Sequence, residues 1–331
     1  MWYISFGGGT GGVNNILVYH DSGHPHSKPN LLPTGKGDPP LQELRGFVIA
    51  GSLLYVVNAY HKYSQILVYE ADRNGDYRFK KIFASKDEVH SLAHPYGLTF
   101  DRQGNCYVSS QDTNVVIGLH GTGCAHEVAA FLQQQYPPPA KFLPGTVVAS
   151  SIGALPGTQS PPPPNVLVPH GLAVSFTDPP QTRVAHSVRG VLFHNGYLYV
   201  ADEPANAVKV YAVETGECRG QIAGHNLCAP DQLLLDATTG VLYIGSSEND
   251  HVVCYDLAQG TPSGTVPPRP FIHGGVKHVS GMAFDPDGYF YVAERKAKRI
   301  KKLPPNGSGS GMDFISGLPD EPEFILYVPK R

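Results

Sequence analysis

The chain has 331 residues, 41% of them hydrophobic and 16% charged, with a formal net charge of −3. That is enough apolar material for a substantial core, which excludes general disorder, and the lack of a basic excess excludes a broad nucleic-acid surface. No run of eighteen apolar residues and no leader-like start occurs, so the expectation is a cytoplasmic protein that meets no membrane.

In chain order, Trp2–Phe6 and residues 15–19 read as strands, short apolar runs rich in β-branched and aromatic residues. A fuller unit follows at 44–49, 53–58, 65–69 and 79–83, and a third at 94–100, 105–108 and 114–117. A fourth starts at Arg189-Gly190 and passes through an Asn195-Gly196 turn to Tyr199-Val200 and 208–211. Units five and six repeat the order, with Tyr243-Ile244 and Tyr291-Val292 in the second strand and 252–255 and 299–303 in the third. The first unit lacks an opening strand and the last run, 321–328, lacks a partner, so the two ends are expected to share one sheet and remove its open edges.

Between units three and four, residues 133–180 hold Pro137-Pro138-Pro139 and Pro161-Pro162-Pro163-Pro164 and break the repeat. They read as a cap-like insertion in extended polyproline conformation, with a strand or two near 145–150 or 172–176. The five cysteines, Cys106, Cys124, Cys218, Cys228 and Cys254, never stand at metal-knuckle spacing and are read as reduced thiols. Gly7-Gly8-Gly9-Thr10-Gly11-Gly12 precedes no helical pattern and no lysine, so it reads as a loop rather than a phosphate cradle. His24, His26 and His273 fall in loops.

Units of three or four strands recurring every 40 to 50 residues predict an all-β, closed six-bladed β-propeller over 1–331, with the insertion between blades three and four. His94-Pro-Tyr-Gly-Leu-Thr-Phe-Asp-Arg-Gln-Gly-Asn-Cys-Tyr-Val and Gly281-Met-Ala-Phe-Asp-Pro-Asp-Gly-Tyr-Phe-Tyr-Val resemble the NHL repeat and its relatives in the gluconolactonase and regucalcin group. The resemblance specifies the fold more than the function, because propellers host unrelated activities.

In this architecture the chain enters each blade beside the central channel. Alignment on the Tyr-Val pairs puts Arg45, Tyr96, Arg189, Asp231, Ser280 and Glu323 in equivalent places around it. A second ring, three residues after each tyrosine, is Phe6, Asn58, Ser110, Asp202, Ser246 and Glu294, with Arg189–Asp202 and Ser280–Glu294 as neighbours. Converging charges of this kind either bind a ligand or pair with one another and knit the blades together.

The gluconolactonase resemblance implies a channel calcium held by a Glu and by Asn and Asp side chains. Glu323 or Glu321 matches the Glu and Asp231 the Asp, but Tyr96 and Arg189 stand where neutral oxygen ligands belong. Val168-Pro169-His170-Gly171 resembles a zinc motif of six-bladed peptidylhydroxyglycine amidating lyases; His94 and His278 are displaced from the other two ligand positions. No cofactor is favoured, with calcium and zinc the alternatives.

The functional expectation is a small-molecule enzyme, a gluconolactonase-like hydrolase or a carboxylate- and arginine-based lyase or cyclase. Arg45, Arg189, Tyr96, Asn58, Ser280 and Glu294 would bind a substrate bearing a carboxylate or carbonyl, and Glu323, Asp231 or His94 would transfer protons. The alternatives are a non-catalytic NHL-type interaction propeller and a zinc-dependent lyase.

Overall fold

Among the described residues the chain is a series of short strands with no α-helix, one 3-10 turn at Leu257–Gln259, and no helix long and apolar enough to cross a membrane. The computed structural model describes residues 1–9, 11–119, 166–167 and 188–329. Blade one opens with β1 (Trp2–Phe6), β2 (Leu17–Tyr19) and β3 (Pro25–Asn30). Blade two is β4 (Leu44–Ala50), β5 (Leu53–Asn58), β6 (Gln65–Ala71) and β7 (Tyr77–Ser85), and blade three is β8 (Pro95–Phe100), β9 (Cys106–Ser110), β10 (Val115–Leu119) and β11 (Val166–Leu167). Blade four is β12 (Val188–His194), β13 (Tyr197–Asp202), β14 (Ala207–Ala212) and β15 (Cys218–Ala223). Blade five holds β16 (Pro230–Asp236), β17 (Val241–Ser246), β18 (His251–Asp256) and β20 (Arg269–His273); β19 (Gly264–Val266), from the link between the last two, crosses to pair in parallel with β15. Blade six is β21 (Val279–Phe284), β22 (Phe290–Glu294), β23 (Arg299–Leu303) and β24 (Met312–Ile315), and β25 (Pro322–Tyr327) returns to blade one.

The fold is a six-bladed β-propeller. β25 pairs with β1, with Trp2 opposite Tyr327 and Ile4 opposite Ile325, so both ends of the chain build one blade as the sequence implies. Six clusters of buried apolar residues fill the six seams between blades. The seam between blades six and one joins Trp2, Ile4, Phe6, Tyr19 and Ile325 to Tyr291 and Ile300. Tight turns follow their residue types: Asn195 and Gly196 both take positive φ (48° and 83°) in the two-residue turn joining β12 to β13.

Outer strands β3, β15, β19, β20 and β24 were not anticipated, and they carry the weakest alternation; β3, PHSKPN, is exposed along nearly its whole length. Most of 133–180, with the strands expected near 145–150 and 172–176, lies outside the described residues. Val166–Leu167 is described and forms the outer strand of blade three against β10.

Candidate functional site: the channel cluster

Each inner strand pairs with its neighbour through an irregularity in register. The shifts fall between Leu44 and Phe47, Pro95 and Leu98, Val188 and Val191, Pro230 and Leu233, Val279 and Met282, and opposite the Ile4/Phe6 shift of β1. The residues in these bulges are Arg45, Tyr96, Arg189, Asp231, Ser280 and Glu323, and a bulge re-aims the side chain it carries. The following residue is glycine in four blades because the next inner strand passes against it. A Cβ on Gly190 would lie 2.5 Å from the carbonyl oxygen of Asp231, and one on Gly46 2.9 Å from that of Tyr96.

Five of these six side chains meet. Glu323, fully buried, accepts from Arg45 Nη1 at 2.8 Å and from Arg295 Nη2 at 2.7 Å, both on Oε1. The Tyr96 hydroxyl donates to Asp231 Oδ1 at 2.5 Å and lies 3.3 Å from Glu323 Oε2. The Arg189 guanidinium stands over the Tyr96 ring, 5.2 Å from its centroid, and its Nε donates to Glu203 Oε2 at 2.8 Å. Ser280 turns outward instead and ties its strand to β25 through Pro322 O at 2.7 Å.

Burial raises the Asp231 carboxyl to about 6; Arg189 opposes the rise and the Glu323 charge adds to it. No guanidinium comes within ion-pair distance of Asp231 among the described residues, although Arg189 and Arg295 are near enough to act on it. Burial first, then the Asp231 and Glu323 charges, push the Tyr96 hydroxyl far up, so it stays a donor. The arrangement combines a carboxyl raised to about 6 with a hydrogen-bond donor, the Tyr96 hydroxyl, on one of its oxygens.

The second ring departs from its sequence reading by one residue. Asn58 holds the segment leading into β4, accepting from Gln42 N at 2.8 Å and donating to Pro40 O at 2.9 Å. Asp202 pairs with Lys209 at 2.6 Å rather than with Arg189, and Glu294 pairs with Arg299 rather than with Ser280. Side chains alternate along a strand, so the residue after each of these lies on the opposite face. That set is Gly7, Ala59, Gln111, Glu203, Ser247 and Arg295, of which Glu203 and Arg295 join the channel cluster while Ala59 packs in the seam between blades two and three. A Cβ on Gly7 would sit 3.5 Å from Glu323 Oε1 and 3.7 Å from Arg45 Nη1. Arg295 and Glu203 are the ion-pair partners that sequence reasoning missed, and counting four rather than three residues past the tyrosine finds them. Gln111 is buried, and its Oε1 has no hydrogen-bond partner among the described residues.

His94 sits at φ 53° before β8, with its ring nitrogens 3.4 Å from Glu43 Oε2 and 3.3 Å from Asp112 Oδ1. Contact with His94 lowers the Glu43 carboxyl from its ordinary value. No described contact joins His94 to Asp231 or Glu323. Glu321 is engaged by Arg295 Nε at 3.0 Å and Lys296 Nζ at 3.4 Å, and His170 lies outside the described residues. The glycine loop after β1 has its amides in use, Gly7 N on Glu321 O at 2.8 Å and Gly8 N on Asp320 Oδ2 at 3.1 Å.

The channel does not fit the calcium that the resemblance implies. The carboxylate that would head the ligand set, Glu323, is clamped by two guanidinium groups, and three arginines would repel a divalent ion. Among the described residues no three His, Cys, Asp or Glu side chains converge to hold a metal, so no step is routed through one.

No protein-family model matches the chain, and no curated protein is similar to it in sequence. Its fold is similar to a chain in the crystal structure of a nidogen/laminin complex, with a TM-score of 0.59 and 12% identity over 98% of this chain and 97% of that one. Virginiamycin B lyase from Staphylococcus aureus shares 11% identity over 85% of this chain and 73% of its own, with a TM-score of 0.46. A candidate 6-phosphogluconolactonase from Bacteroides uniformis shares 12% over the same fractions, with a TM-score of 0.47. At these identities the likeness is one of fold alone.

Proposed function

We propose that the channel cluster is the active site of a small-molecule enzyme that works by proton transfer at Asp231, of the hydrolase type acting on a lactone or ester. The observation that carries this reading is the state of Asp231. It is a buried carboxyl raised to about 6, held on one oxygen by Tyr96, and left without an ion pair among the described residues despite the arginines beside it. Shifts of that kind, produced by burial and specific charged neighbours, gather at catalytic sites.

In this mechanism Asp231 takes a proton from the attacking water and returns it to the leaving oxygen. The Tyr96 hydroxyl fixes its orientation. Arg189 and Arg295 stabilise the negative charge that develops on the carbonyl oxygen, and Glu323 positions Arg45 and Arg295 rather than reacting. The reading places the protein in the reducing cytosol, where Cys106, Cys218, Cys228 and Cys254 are free thiols.

Turnover of a panel of sugar lactones and aryl esters by wild type, Asp231→Asn and Arg189→Met tests it. Loss of turnover in both variants, with a melting temperature at or above wild type for Asp231→Asn, supports the site. Undiminished turnover in Asp231→Asn contradicts it.

A second reading, a non-catalytic interaction propeller, is favoured by one observation. Arg45, Arg189 and Arg295 each already have a carboxylate partner, as a channel that only knits blades together would require. A large fall in stability of Arg189→Met with no effect on turnover or ligand binding would support it.

A further inference from the structure

We propose that the channel is a receptor for a hydroxycarboxylate, with the Arg189 guanidinium taking the carboxylate and Gln111 Oε1 accepting from the hydroxyl. This rests on the channel being the ligand site of the proposed hydrolase, and names the kind of molecule held there. The three channel arginines are not equivalent. Arg45 spends Nη1 on Glu323 and on Gly7 O, and Arg295 spends Nε on Glu321 and Nη2 on Glu323. Arg189 spends only Nε, on Glu203 at 2.8 Å, and its two terminal nitrogens have no partner among the described residues. Its side chain keeps 18% exposure, so a ligand can reach it. Glu203 holds one edge of the guanidinium and the Tyr96 ring lies under it, 5.2 Å away, which fixes the fork that the terminal nitrogens form. A fixed planar pair of N–H donors matches a carboxylate.

Gln111 holds in blade three the place that Arg295 holds in blade six. Gln111 N donates to His94 O and Arg295 N to His278 O, each at 3.1 Å, so both leave their second strand through the same turn. Arg295 reaches Glu323 on the inner strand of the next blade. For Gln111 the next inner strand is β12, which carries Arg189. Tyr107, Ser109 and Gln111 fall on one side of their segment: Tyr107 packs with Val188, and Ser109 Oγ donates to Arg189 O at 2.5 Å. The Gln111 amide is thereby directed to the Arg189 end of β12. It is only 5% exposed, and its Oε1 has no hydrogen-bond partner among the described residues.

A buried acceptor left open is costly, and an amide oxygen only accepts, so the ligand that completes Gln111 brings an O–H or N–H. Three guanidinium groups around the channel repel an ammonium, which leaves a hydroxyl. The pairing suits the proposed chemistry. Water added across a lactone opens it to a carboxylate and a hydroxyl on one molecule, the two groups that Arg189 and Gln111 are equipped to hold.

NMR titration of the full chain with glycolate and 3-hydroxypropionate, against their parent acids acetate and propionate, tests the site without turnover. In wild type at least one hydroxy acid should bind about tenfold more tightly than its parent. Gln111→Met should bring that pair to parity, and Arg189→Lys, which keeps the charge and loses the fork, should weaken every acid about tenfold. Gln111→Met keeps side-chain volume and removes an unpaired acceptor, so its melting temperature should not fall. No saturable binding of either hydroxy acid, parity in wild type, a preference that survives Gln111→Met, or undiminished binding in Arg189→Lys overturns the proposal. Hydroxy-acid binding lost with Gln111→Met in a protein that turns over no ester or lactone would uphold this receptor and sink the hydrolase alone.

Discussion

Asp231 and Glu323 are both buried carboxyls in the channel, yet their surroundings assign them opposite energetics. Glu323 has two guanidinium partners on one oxygen, and removing one side of a buried pair strands the other charge at a cost of about 3–5 kcal/mol. Glu323→Gln should therefore lower stability by several kcal/mol, measured by denaturant unfolding. Asp231 runs the other way. Its folded value of about 6 lies above the ordinary 3.8, so the folded state holds a proton that the unfolded chain gives up. Its contribution is fully present below about pH 4 and is lost as pH rises through about 6. At about 1.36 kcal/mol per unit, ionisation of Asp231 at pH 7 costs on the order of 2–3 kcal/mol. Asp231→Asn should be more stable than wild type at pH 7.5 by an amount of that order, and should lack the fall in stability between pH 4 and 6. A variant less stable than wild type at pH 7.5 would show that Asp231 is a structural anion.

The blades are fastened by a device that repeats at the element scale. The residue before the third strand takes positive φ in Ser64, Asn114, Asn206 and Asp250, and its side chain accepts from the backbone N–H that opens the next blade, at His94, Val188, Ala229 and His278. Asn and Asp tolerate that backbone region and carry the acceptor. Asn206→Ala should cost about 1–3 kcal/mol, because the Ala229 N–H loses its acceptor and alanine is strained at φ 50°. Gly190→Ala should also be destabilising, since its methyl would meet the Asp231 carbonyl; heat denaturation of each variant checks both. Inner and middle strands were legible because both faces are buried and Tyr-Val pairs mark a fixed depth. Outer strands were not, because exposed segments such as β3 show no alternation. The channel-facing bulge residues could be read by counting from the tyrosines. The second set was displaced by one because period-two alternation reverses the facing side chain, which hid Glu203 and Arg295 behind Asp202 and Glu294.

At the scale of the whole molecule, β25 completes both a ring and a site. It supplies the inner strand of blade one, Ile325 in the seam with blade six, and the carboxylate that joins Arg45 to Arg295. Deleting residues 321–331 should therefore abolish cooperative unfolding rather than trim a loose end, and a truncated protein with the full-length melting temperature would contradict closure. Three arginines, Asp231, Glu203 and Glu323 come from all blades but the third, which supplies Tyr96 between the two inner carboxyls, counting Arg295 for blade six. The proton on Asp231 is the point on which the functional account turns. Carboxyl-carbon NMR titration of protein labelled at aspartate, compared with Asp231→Asn, measures it without a known substrate. The account predicts a resonance titrating near pH 6 that is absent from the variant; an Asp231 resonance titrating at or below the ordinary 3.8 would contradict it.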